Sequence, residues 1–170
     1  MSDVLRVLGV YPETIVDGEG IRYSIYFSGC AHKCAGCHNP ESWNPDAGTP
    51  LADMEEKIFS EIKANPLLEG VTLSGGDPLY NPEAIFEFLK RLKRRTRANV
   101  WCYTGYTYDE ILKSPLLARC LPLIDMLVDG RFVAKKKDPR LSFRGSSNQR
   151  VIRLKNGRMS EILYAEEVKV

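Results

Sequence analysis

The sequence lacks a long apolar run: no stretch approaches the roughly 20 residues that a membrane-spanning helix needs. Its first residues, Met1-Ser2-Asp3-Val4-Leu5-Arg6, lack the apolar core of a secretory leader, so the expected location is the cytoplasm. It also lacks a surplus of charge. Twenty-four Lys and Arg stand against 22 Asp and Glu, a formal net charge of +2. That is too small to make nucleic acid or an anionic membrane an obligate partner. Internal repeats and low-complexity tracts are absent, so the chain is not read as a solenoid or a linker. An even complement of cysteine is missing as well. There are five, Cys30, Cys34, Cys37, Cys102 and Cys120, and an odd count without an export signal argues against a disulfide framework.

What is present is globular. Hydrophobic residues make up 44% and charged residues 27% of 170 residues, which suits one soluble domain over residues 1–170. Residues 22–28 (RYSIYFS) are β-branched and aromatic and predict a strand. Met54, Ile58, Phe59 and Ile62 have helical spacing and predict a helix over 52–65. Residues 71–73 read as a short strand that runs into Ser74-Gly75-Gly76-Asp77-Pro78. Asn81 should cap a helix with Pro82 at its first position and Ile85, Phe88, Leu89 and Leu92 as its buried stripe. Further strands are expected at 100–103, 124–128, 151–154 and 162–164, and Thr107 with Glu110 forms a capping box. A polar loop is expected over 129–149; a loop of that length in a compact domain is more often functional than idle.

Strands alternating with helices predict an α/β fold, either a compact partial barrel or an open, mostly parallel sheet. In both, a site forms at the carboxyl ends of the strands. The cysteine loop, Gly75-Gly76-Asp77, Thr104 and Asp129 all follow predicted strands and should meet there.

Three of the five cysteines form a C-x3-C-x2-C run within eight residues. Thiolates are soft donors that suit iron–sulfur clusters or zinc. Three of them can hold three irons of a cubane and leave the fourth iron open to a reacting ligand. The alternative is a structural zinc with His32 or His38 as fourth ligand, in a binding module without catalysis. Zinc ribbons usually bring a second pair of ligands at a distance, and Cys102 and Cys120 lack that pairing. Gly75 and Gly76 let a ligand approach the backbone, and Asp77 can accept from an ammonium or order the loop. The plainer reading of these three is a tight turn before Pro78. Four further features are read as structural. They are a basic run between Lys90 and Arg97 as a solvated helix end, Cys102 and Cys120 as small buried apolar groups, Trp43 as packing for the cysteine loop, and His32 as a solvent-side residue.

Together the motifs resemble the radical S-adenosylmethionine superfamily, whose signature is a three-cysteine run after the first strand and a Gly-Gly-acid after the second. Within it, several segments are similar to the activating proteins of the anaerobic ribonucleotide reductase: Asp17-Gly18-Glu19-Gly20-Ile21-Arg22, Ser28-Gly29-Cys30, Cys34-Ala35-Gly36-Cys37-His38-Asn39, Leu73-Ser74-Gly75-Gly76-Asp77-Pro78-Leu79, Thr104-Gly105-Tyr106, Val128-Asp129-Gly130-Arg131-Phe132 and Arg144-Gly145-Ser146-Ser147-Asn148-Gln149. Two positions depart from common patterns: Gly36 where the superfamily often has an aromatic, and His38 where many reductase activators have Tyr. Cys37-His38-Asn39 is also similar to the activators of pyruvate formate-lyase, which stay as an alternative. The resemblance implies a [4Fe–4S] cluster on Cys30, Cys34 and Cys37 and S-adenosylmethionine chelated to its open iron. It implies that Gly75, Gly76 and Asp77 hold the amino group, that Gly36, Cys37 and His38 line the ligand, and that Asp129 and Arg131 touch the ribose or carboxylate. It further implies flavodoxin or ferredoxin as electron donor and the large reductase subunit as the protein substrate that receives a glycyl radical.

Overall fold

The computed structural model describes residues 4–166. Among these, eight strands form one sheet: β1 (Arg6–Thr14), β2 (Arg22–Phe27), β3 (Thr49–Pro50), β4 (Gly70–Gly75), β5 (Asn99–Tyr103), β6 (Met126–Asp129), β7 (Arg150–Lys155) and β8 (Arg158–Tyr164). Helices α1 (Leu51–Ala64), α2 (Pro82–Thr96), α3 (Tyr108–Leu112) and α4 (Pro115–Ala118) lie between them. The strand order is β3-β1-β2-β4-β5-β6-β7-β8, an open line in which no described pairing joins the two ends.

The expectation of a mostly parallel sheet is corrected. β2, β4, β5 and β6 run parallel in the centre, but β1–β2, β1–β3, β6–β7 and β7–β8 are antiparallel. Antiparallel pairings therefore outnumber parallel ones, and the fold is mixed α/β. Two elements account for the difference. The first is β1, whose Gly9 and Pro12 interrupt the apolar alternation; its pairing with β2 shifts register between Val7 and Gly9 and between Tyr11 and Thr14. Pro in a strand is tolerated towards a sheet edge, and only the two-residue β3 lies outside β1. The second is the β7–β8 hairpin. It turns on Asn156 and Gly157, both at positive φ (52° and 77°), the backbone that a two-residue Asn-Gly hairpin turn requires.

The helices form for the expected reasons. Asn81 Oδ1 accepts from Ala84 N (3.1 Å) with Pro82 in the first turn of α2. Both halves of the Thr107–Glu110 capping box are made at α3. All four helices bury side chains in one large apolar cluster with Tyr23, Ile25, Phe27, Leu73, Val100, Cys102 and Leu127 of the parallel strands. Phe88 of α2 anchors it, edge-on to Phe27 (6.1 Å between centroids) and stacked on Phe59 of α1 (5.8 Å). Burying each such ring contributes roughly 1.5–3 kcal/mol. Alternate strand residues face the other way. There Trp101, Met126, Val128 and Val151 form a second cluster with Tyr103, Phe143 and Leu163, to which no helix contributes. One face of the sheet is thus covered by helices and the other partly by loops.

Candidate active site

The carboxyl ends of the parallel strands open into a cleft of about 270 Å³. The loop after β2 contributes Cys30, Cys34, Cys37 and His38; the turn after β4, Gly75 and Gly76; the turn after β5, Thr104 and Gly105; the loop after β6, Gly130 and Phe132. Tyr26, Ser74 and Tyr103 line it from the strands themselves. The expected convergence of these loops is what the topology produces.

The cysteine loop is a tight coil. Cys37 N donates to Cys34 O (3.1 Å), and Lys33 and Gly36 sit at φ 47° and 77°. All three thiols are free and half-buried. Burial pushes the Cys30 thiol up from its ordinary value, while the backbone N–H groups of His32 and Lys33, aimed at its sulfur, pull the other way. Trp43 lines the same cleft, and its indole Nε1–H is buried with no protein acceptor among the described residues. Three soft donors on one coil, N–H groups turned on a sulfur and an unpartnered buried donor beside them fit an iron–sulfur cubane. The cysteines would ligate it.

The Gly-Gly-Asp turn is more enclosed than its sequence suggests. Gly76 N donates to Phe27 O (2.7 Å) and Asp77 N to Gly29 O (2.8 Å), so both amides tie β4 to the start of the cysteine loop. A Cβ on Gly75 would lie 2.4 Å from Phe27 N and O, and one on Gly76 would lie 2.5 Å from Gly29 O. The glycines are needed for this backbone packing, and both also line the cleft. Asp77 is buried, and its carboxylate faces the protein. Oδ2 accepts from His32 Nε2 (2.7 Å), Thr104 Oγ1 (2.9 Å) and Gly105 N (3.0 Å), and Oδ1 accepts from Leu79 N (2.9 Å). Of the two roles open to Asp77 in the sequence, ordering the loop is the one its bonds display.

His32 is not the solvent-side residue expected. Its side chain is 5% exposed and stands edge-on to Tyr106. Gly36 faces Ala134 Cβ and Phe132, the neighbours a Cβ there would meet at 3.4 and 3.6 Å. Phe132 also contacts the His38 ring (5.5 Å).

Asp129 and Arg131 are not brought into the cleft. Asp129 is buried against Arg150, which grips both carboxylate oxygens, and it accepts from Tyr108 N (2.8 Å). Arg131 reaches out to Glu110 (3.2 Å). Their neighbours Gly130 and Phe132 line the cleft instead. Sequence reasoning passed over these two, along with Tyr26 and Tyr103. The signal was available: Tyr26, next to last in β2, and Tyr103, last in β5, lie on the helix-free face, where alternation places them. Burial, with a hydrogen bond from Tyr26 to Asp17, holds both phenols well above their ordinary pKa, so they stay neutral.

The loop 129–149 is folded, with a short turn at Ala134–Lys136 and a bridge between Lys137 and Ser146. Gln149 closes it: Oε1 accepts from Gly145 N and Ser146 N, and Nε2 donates to Gly130 O.

A family model for a 4Fe–4S single cluster domain matches residues 16–152, so the class of protein is that of single-cluster iron–sulfur domains. The chain is 41% identical over 156 residues to the anaerobic ribonucleoside-triphosphate reductase-activating protein of Haemophilus influenzae, covering 89% of this chain and 99% of that one. It is 43% identical over 148 residues to the protein of that name from Pasteurella multocida (84% and 94%) and 41% over 152 residues to that of Escherichia coli K12 (85% and 96%). The chain belongs to the family of anaerobic ribonucleoside-triphosphate reductase-activating proteins.

Proposed function

We propose that this chain is an activating enzyme that carries a [4Fe–4S] cluster on Cys30, Cys34 and Cys37, cleaves S-adenosylmethionine reductively and places a glycyl radical on the large subunit of an anaerobic ribonucleotide reductase. The observation that carries the reading is the cleft itself. The three thiols, the glycine turn after β4 and the loops after β5 and β6 face one another across it. Bound there, the cluster supplies the electron that splits the sulfonium C–S bond into methionine and a 5′-deoxyadenosyl radical, which takes a hydrogen atom from a glycine Cα.

The chain's own residues bind and orient. Cys30, Cys34 and Cys37 would hold the cluster with three protein ligands, which would leave a position for the amino and carboxylate groups of S-adenosylmethionine. An ammonium is a donor and needs acceptors. The Asp77 carboxylate is already bonded, so carbonyl oxygens of the turn 74–76 take that role. Gly36, Cys37 and His38 border the ligand from the cluster side. Tyr26, Tyr103 and Phe132 present ring faces and neutral phenols, which exclude water and offer no negative charge to a radical. The electron comes from a flavodoxin or ferredoxin. We read the open sheet, with helices on one face and the cleft at its carboxyl edge, as the partial barrel of a radical S-adenosylmethionine domain acting in the cytoplasm.

The test mixes this protein anaerobically with an anaerobic ribonucleotide reductase, S-adenosylmethionine and a reductant. A glycyl doublet should appear in the EPR spectrum, and replacing the radical-bearing glycine of the reductase by alanine should remove it. A signal with pyruvate formate-lyase and none with the reductase would replace this reading by the alternative that Cys37-His38-Asn39 keeps open.

A further inference from the structure

His32 of the cysteine loop lines the cleft but has no part in the chemistry above. His32 lies between the first two cysteines, yet its side chain is 5% exposed. Its Nε2 is 2.7 Å from Asp77 Oδ2. A carboxylate has no proton to give, so Nε2–H donates. The same oxygen accepts from Thr104 Oγ1 and Gly105 N, and Asp77 itself is held by Leu79 N. The loops after β2, β4 and β5 therefore meet on one carboxylate. Two further contacts shape the imidazole's place. The Tyr106 ring stands edge-on to it, 4.5 Å between centroids at 76°. Gly105 leaves room for it: a Cβ there would lie 2.3 Å from His32 Cδ2 and 2.7 Å from Nε2. Gly105 is not at positive φ, so space for the ring, and not backbone conformation, is what glycine supplies there.

We propose that His32 is a positioning residue: through Asp77 it clamps the cysteine loop to the turns after β4 and β5, and so sets the distance between the cluster's open iron and the turn that receives the ligand. This rests on the reading of the site given above. The clamp is separable from the fold. Without the imidazole, Asp77 keeps three donors from its own turn and the next one, so those turns stay ordered. The loop 30–37 keeps its internal Cys37–Cys34 bond and, at its start, the backbone bond from Asp77 N to Gly29 O, but loses its side-chain tie to the two turns. Outer partners that orient a metal-binding loop are worth about 10- to 100-fold in affinity or activity.

Three variants test this: His32→Ala, His32→Gln, which keeps a side-chain N–H within reach of Asp77, and Gly105→Ala, which removes no polar group but crowds the ring. The first measurement is amide hydrogen exchange on iron-free protein. Residues 31–37 should exchange faster in His32→Ala and Gly105→Ala and return towards wild type in His32→Gln, with α1 and α2 unchanged. The second is S-adenosylmethionine affinity of reconstituted protein. It should fall about 10-fold in His32→Ala, with a changed EPR signal of the reduced cluster on ligand addition, and recover in His32→Gln. Unchanged exchange over 31–37 in His32→Ala overturns the proposal, as does His32→Gln behaving like the alanine variant in both measurements. Wild-type protein that took up no iron would defeat the reading of the site, while the exchange measurement on iron-free protein would still decide the role of His32.

Discussion

The two ends of the parallel strands are each tied by one buried charged residue. At the amino end, Arg22 opens β2 and donates Nε to Thr72 Oγ1 (2.7 Å) and NH2 to Val71 O (2.9 Å), Asn99 O (3.1 Å) and Asn99 Oδ1 (3.1 Å). At the carboxyl end, Asp77 follows β4 and gathers His32, Leu79, Thr104 and Gly105. Each is 1% exposed, and each cross-links three successive strands or the loops that leave them. The surroundings differ. Arg22 lies with its guanidinium carbon 5.4 Å from the Trp101 ring centre, and burial pushes its pKa down to about 10. Its described hydrogen-bond partners, Glu19, Val71, Thr72 and Asn99, hold no thiol. Asp77 is joined by its own hydrogen bonds to the cysteine loop. A buried charge satisfied by hydrogen bonds fixes geometry at either end; the loops that a parallel sheet sends out at its carboxyl edge make only one of the two knots part of a site.

The largest effect should come from the cysteines. Changing Cys30, Cys34 or Cys37 to Ala should remove most bound iron, measured by iron and sulfide assay, and abolish cleavage of S-adenosylmethionine. Cys102→Ala and Cys120→Ala should do neither, because both thiols are buried in the core away from the cleft. Iron loss in Cys102→Ala with retention in Cys34→Ala would place the cluster elsewhere.

Arg22→Met sharpens the contrast between the two ends. It leaves Thr72, Val71 O and Asn99 without their donor and should destabilise the fold by about 3 kcal/mol. For a chain of this length that is a fall in Tm of about 6–12 °C. Ligand affinity of the folded fraction should not change. A normal melting curve with lost affinity would erase the distinction between the ends.

Gly76→Ala probes the carboxyl end. The added methyl would press on Gly29 O and Ser42 O, so we expect about 1–3 kcal/mol of destabilisation, seen in the thermal melt, with poorer iron retention because Gly29 precedes Cys30. Weakened ligand binding with stability and iron untouched would mean that this glycine serves the ligand alone. The smallest effect is expected for Arg131→Ala. Its ion pair with Glu110 is exposed and worth about 0–1 kcal/mol, and equilibrium dialysis with S-adenosylmethionine should change by less than about two-fold. A ten-fold loss would return Arg131 to the ligand, as the family resemblance implies.

Much of the fold was legible because its signals are local. Asn81-Pro82, the Thr107–Glu110 box and the apolar stripe of α2 each lie within one element, and each formed as expected. The misreading of the sheet as mostly parallel traces to its flanks. β1 carries Gly9 and Pro12 and takes its order from pairing with β2 and β3, not from its own pattern. The Asn156-Gly157 turn, by contrast, is a local signal that makes β7 and β8 antiparallel. His32 was misplaced for a different reason: a polar residue in an exposed-looking loop is buried only because Asp77, 45 residues on, comes to meet it.

The chain by itself determined the chemistry of its donor set. Three cysteines within eight residues are close in any fold, so their ligand character is a property of the local sequence. It also determined that these and the Gly-Gly-Asp turn lie after strands, which brings them to one edge once those strands pair in parallel. Which residues face the cleft was decided only by tertiary structure. Gly130 and Phe132 line the cleft while Asp129 is bonded to Arg150 across the antiparallel β6–β7 pair and Arg131 to Glu110. The Asp77 carboxylate meets four protein donors, from residues 32, 79, 104 and 105, only because the loops after β2, β4 and β5 are brought together by strand pairing. Contacts set by pairing between distant segments leave no periodic trace in either segment.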